Sequence, residues 1–233
     1  MKRKPSYINH VPFLQGEITV ITSDHAEATM KHSARLAHSI KNVGLNVLAI
    51  NCGMSDRRFR EHYYEAHGKE SFKEPRCIIK SSVCGNLIGE REAIDQIVAE
   101  AGIAIVVITG WEFASSNYRR RERLMCYLRD LMEREDVSVI IYSHIANEPV
   151  AGMIDHGGLG KLSLLAYAIA EIDSTQILEE KITKPPVLVA TAAELREMEM
   201  SAQLFINEMK ELQEDGGVVS GTEFQLMGNE VIQ

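Results

Sequence analysis

The chain has 233 residues, 45% of them apolar and 25% charged, with 16 Gly and 6 Pro. These proportions are those of a globular protein and exclude a disordered chain, a collagen-like repeat and a disulfide scaffold. The net charge is −8, but nine acids against two bases from Thr191 onward account for −7 of it. The rest of the chain is near neutral and is not the strongly basic domain that announces nucleic acid by composition.

At this length a single domain can bury roughly 70–75% of its unfolded surface without staples. We therefore expect one domain over residues 1–215 and a flexible tail over 216–233, which is Gly-rich and polar. No window approaches the roughly 18 apolar residues of a membrane span. The basic start, Met1–Pro5, is not followed by an apolar run, so no signal peptide is expected. Cys52, Cys77, Cys84 and Cys126 form no C-x-x-C pair. They read as reduced thiols of a cytoplasmic protein, with no structural zinc.

The elements alternate. Glu17–Thr22 reads as a strand, and His25 to Val43 as a helix stopped by Gly44. Asn46–Asn51 is a second strand. Ser55 is placed to cap a helix over Asp56–Ala66, closed by Gly68. Arg76–Val83 reads as a third strand. Glu90–Ala101 has helical period, with Gly102 at its end. Ile103–Thr109 and Val137–Ser143 are almost wholly apolar, as strands buried on both faces are. Asn117–Glu135 is the helix between them, with Leu124, Leu128, Leu131 and Met132 inward. Ala146–Lys161 holds Pro149 and four glycines and reads as loop. Ala168–Asp173 and Val187–Ala190 are two further strands. Thr191-Ala-Ala-Glu194 is a capping box that opens a long helix to about Gln213. Strands separated by helices in this way argue for a mostly parallel sheet covered on both faces.

The order and wording of these segments resemble the RecA-like ATPase core, in the branch of replicative helicases, archaeal recombinases and clock-type ATPases. GEITVIT with LAHSIKNVGLNVLAINCGMS is similar to the first strand, first helix and second strand of that family. IAIVVITGWEFASSNYRRRERLMCYLRDLMEREDVSVIIYSH is similar to its Walker B strand, next helix and sensor strand. GGLGKLSLLAYAIAEI is similar to a later loop and strand. The resemblance spans residues 11–214 and implies a three-layer α/β P-loop NTPase fold.

The motifs that carry the family's chemistry are degenerate. A phosphate loop needs G-x-x-x-x-G-K-[ST], in which backbone N–H groups close on phosphates, the Lys neutralises them and the hydroxyl holds Mg²⁺. Alignment without gaps puts Ser23 to Met30 there. Ser23 and Ala28 stand for the glycines, Thr29 for the Lys and Met30 for the Ser/Thr. Thr109 stands at the Walker B aspartate, Gly53 at the water-polarising Glu, and His144 follows the sensor strand. Asp24 and Glu27 add negative charge where a polyphosphate would lie. At about 5 Å and an effective dielectric near 20, one such pair of like charges costs roughly 3 kcal/mol. Asp24 with Glu27 also reads as an Asp version of a capping box. The parts of a phosphoryl-transfer site act as a unit, so their joint loss argues against hydrolysis.

Three other constellations stand out. His25, His144 and His156, with Asp24 and Asp155, fall at strand ends, where open α/β sheets bind ligands; polar filling of a vacated cleft is favoured over a metal site. Cys52 and Ser143 lie at strand ends without a nucleophile signature. Arg119, Arg120, Arg121 and Arg123 open a helix against its dipole. They read as a solvated face paired with Glu122 and Asp130, or as a nucleic-acid or partner surface with Trp111, Phe113 and Tyr118 beside it. Leu195, Met198, Ala202, Phe205, Met209 and Leu212 form a short heptad seam.

The reading is a non-catalytic RecA-like domain without cofactor, regulatory or structural in DNA-related processes. The expected partner is another protein or an active relative, with DNA a further candidate and any homo-oligomer weak and nucleotide-independent. The competing readings are an atypical ATPase using ATP and Mg²⁺, or a DNA-binding module.

Overall fold

Largely apolar or β-branched runs place themselves in the middle of a sheet, and here β-strands of that kind form its centre. The computed structural model describes residues 6–8, 11–52, 56–65, 76–82, 86–115, 118–144, 166–178 and 187–191. The chain divides into two units, Met1–Ala192 and Ala193–Gln233, and all the described residues belong to the first.

In chain order the strands and helices are β1 (Ser6–Ile8), β2 (Val11–Phe13), β3 (Ile18–Ser23), α1 (Ala26–Asn42), β4 (Val47–Cys52), α2 (Asp56–Glu65) and β5 (Cys77–Ser82). There follow α3 (Arg91–Ala101), β6 (Ile105–Thr109), α4 (Tyr118–Glu135), β7 (Ser138–His144), β8 (Ala166–Glu171), α5 (Ser174–Leu178) and β9 (Val187–Thr191). Short 3₁₀ turns at Leu87–Glu90 and Trp111–Phe113 precede α3 and α4. β1 and β2 form a separate antiparallel pair that the sequence pattern does not announce.

The main sheet has the order β5-β4-β6-β7-β3-β8-β9. Every neighbouring pair is parallel except β8 with β9. All residues of β3, β4 and β6 are buried, whereas β5 at the edge is mostly half-buried. Alternate strand residues divide between the two faces. Ile21, Val47, Ala49, Ile105, Val107, Ile140 and Tyr142 share one core cluster with Ala28, Met30, Leu36 and Ile40 of α1, Phe59 and Tyr63 of α2, and Ile177 of α5. α3 and α4 lie together on the opposite face, tied by Tyr127 Oη donating to Asp95 (2.9 Å) and by an Arg134–Asp95 ion pair (2.8 Å). The result is a three-layer α/β unit with its parallel strands ending at one carboxyl edge.

The expected elements from Glu17 to Ser143 all form, with ends displaced by no more than two residues. α3 ends as expected at Gly102, whose φ of 57° is the left-handed geometry of a helix C-cap. Leu124, Leu128, Leu131 and Met132 are buried. β8 starts two residues earlier than the sequence suggests. Thr191 closes β9, paired with Ala168. Ser55, Gly68, the loop Ala146–Lys161, the seam from Leu195 to Leu212 and the tail lie outside the described residues. Among the described residues, no helix is long and apolar enough to cross a membrane.

Candidate functional site

The carboxyl edge is where strand ends and helix starts meet, so it is the natural place for chemistry in this architecture. At β3 the transition is abrupt. The strand ends at Ser23 and the helix begins at Ala26, leaving only Asp24 and His25 between them. His25 is the N-cap, extended at φ −135°, ψ 118°, and no side chain caps the helix. The expected Asp24–Glu27 capping box therefore does not form. With His25 as N-cap, Glu27 falls one position short of the site from which it could reach back. Ser23 Oγ instead accepts from His25 N (3.2 Å) and donates to Asp24 Oδ1 (3.4 Å).

The positions aligned with a phosphate loop are all closed. Ser23, Ala28, Thr29 and Met30 are buried, Met30 completely. Thr29 N already donates to His25 O (3.1 Å) as an ordinary helical amide, and its hydroxyl donates to Ala26 O (2.7 Å). Thr109, at the end of β6, donates to Ser33 Oγ (2.9 Å), which donates to Met30 O (2.8 Å). These groups satisfy one another inside the protein.

Behind them His32 Nδ1 lies 2.8 Å from Tyr142 Oη, both side chains buried. Burial, helped by the charge of Arg35, pulls the His32 pKa down from 6.5 to about 4, and burial pushes Tyr142 up, so the pair is neutral at pH 7.

Toward solvent the edge over β3 and β7 is acidic. Glu112, just after β6, accepts from Ser143 Oγ and from His144 N, each at 3.3 Å. His144 Nε2 in turn lies 3.0 Å from Asp24 O. His62 of α2 sits 4.0 Å from Glu27 and 3.3 Å from Glu65. Glu112 is the residue that sequence reasoning misses. A Glu three positions past the strand end matches no fixed motif spacing, and only the turn at Gly110 brings it back over β7. Gly110 has φ 76°, and a Cβ there would run into Cys52 O, so this turn presses directly on the end of β4.

His25, Asp24 and His144 do come together at this edge, but His156 and Asp155 lie outside the described residues. No group of three or more His, Cys, Asp or Glu that could hold a metal occurs among the described residues. Cys52 and Ser143 are both buried, and Ser143 is engaged with Glu112, so neither is presented as a nucleophile.

The arginine stretch occupies the first turns of α4. Arg119, Arg120 and Arg123 are exposed and Arg121 is half-buried. Asp130, expected to help neutralise the stretch, pairs instead with Arg134 one turn further on (3.0 Å). Trp111 is fully buried and unavailable for stacking, whereas Phe113 is 43% exposed.

No protein-family model matches the sequence, and no curated protein is similar to it at a significant level. Among solved structures, the chain is similar to the KaiC-like protein of the hyperthermophilic archaeon Pyrococcus horikoshii OT3. The match has a TM-score of 0.55 over 69% of this chain and 73% of that one, at 14% identity. The fold is RecA-like. At that identity the likeness speaks for the fold alone, and the chemistry has to be argued from the residues at the edge.

Proposed function

We propose that this chain is a RecA-like domain that neither binds nor hydrolyses nucleotide at the family's phosphate site. It works as a regulatory or structural partner in a nucleic-acid-handling assembly. The observation that carries this reading is the two-residue junction between β3 and α1. A phosphate loop needs a run of backbone N–H groups turned toward the ligand. Here the Thr29 amide is spent within the helix, and Thr29, Met30 and Thr109 hold neither a cation nor a metal-supporting oxygen aimed at solvent. Asp24, Glu27 and Glu112 then set three carboxylates around the place where phosphates would lie, which opposes a polyanion further.

A domain that keeps the fold but not the site acts through its surfaces. Its partner is another protein, an active relative being the natural one, and any self-association is weak and indifferent to nucleotide. The test is a titration of the purified chain with Mg-ATP, read by thermal shift. No shift at millimolar nucleotide is expected. A rise of several degrees that EDTA abolishes refutes the reading, because a ligand bound only by the native state must raise its melting temperature.

A further inference from the structure

We draw no further inference here: the strongest candidate, the His62 side chain set between Glu27 of α1 and Glu65 of α2 at the acidic carboxyl edge, belongs to the site already described, and nothing in the structure shows a ligand for it.

Discussion

Acid should weaken this fold through His32. Its ring is enclosed between α1 and β7, with Nδ1 on the Tyr142 hydroxyl at 2.8 Å. Burial, and then the charge of Arg35, lowers its pKa from 6.5 to about 4. As pH falls, the unfolded chain therefore takes up this proton first. The contribution of His32 is fully present above pH 6.5 and is lost as pH falls toward 4. Linkage with these two values gives a loss of about 2 kcal/mol at pH 5 and about 3 kcal/mol at pH 4, relative to pH 7. Urea unfolding of the wild type and of His32→Gln between pH 7 and pH 5 isolates the effect. The carboxylates and His38, which burial and Lys41 also lower, titrate in both proteins and cancel. Gln can still bond the Tyr142 hydroxyl but carries no proton to gain. The wild type should lose about 2 kcal/mol more than the variant over this range. Parallel losses would show that His32 is not held neutral by its surroundings, and the reasoning fails.

Three further substitutions probe the same edge. Tyr142→Phe strips the partner from His32 Nδ1 and should cost about 1–3 kcal/mol in urea unfolding, the cost of leaving a buried polar atom unsatisfied. Thr109→Val keeps the shape but removes the bond to Ser33 Oγ, and a loss of about 1 kcal/mol is expected by the same measurement. Gly110→Ala meets the Cys52 carbonyl and forces a φ of 76° on a side chain, so its melting temperature should fall by an amount corresponding to at least about 2 kcal/mol; a neutral result would mean that this turn is not packed as described.

The fold was legible because its central strands are unusually plain. Ile105–Thr109 and the middle of β7, Val139–Tyr142, carry almost no polar alternation, and only a strand covered on both faces tolerates that composition. The stop at Gly102 was equally clear, since the next turn needs a left-handed residue. What stayed hidden depended on neighbours distant in sequence. The β1–β2 pair is two three-residue strands, too short to carry a period. It is fixed from outside, by Thr19 Oγ1 donating to Pro12 O (2.9 Å). At the site, the positions aligned with the phosphate loop could be read one by one, but their surroundings could not. Nothing in the residue types says that Thr109 turns inward to Ser33, or that Glu112 returns to β7. The Asp24–Glu27 spacing gave the wrong cap because capping depends on where the helix starts, and a boundary one residue later moves every role by one.

That boundary also separates two explanations of the proposed lack of nucleotide binding. If only the residue types were wrong, restoring them would restore binding. If the junction is too short, it would not. Thr29→Lys with Met30→Ser returns the lysine and the hydroxyl to their aligned positions. Yet both positions already lie inside α1, with the Thr29 amide bonded to His25 O at 3.1 Å and Met30 sealed in the core. To free those amides for a phosphate, the first turn of the helix would have to unwind, giving up its hydrogen bonds at roughly 1 kcal/mol each and exposing core side chains as well. The new ammonium could offset part of this, but Asp24 and Glu27 keep their negative charge in the same stretch of chain. We therefore expect the double variant, checked for native helix content by circular dichroism, to show no thermal shift with millimolar Mg-ATP. An EDTA-sensitive shift in the folded variant would mean that residue identity alone accounts for the proposed lack of binding and that the two-residue junction opens at little cost. Replacing Asp24-His25 by a longer Gly-rich loop in the same background supplies the converse: if geometry is the barrier, binding should emerge there and not before.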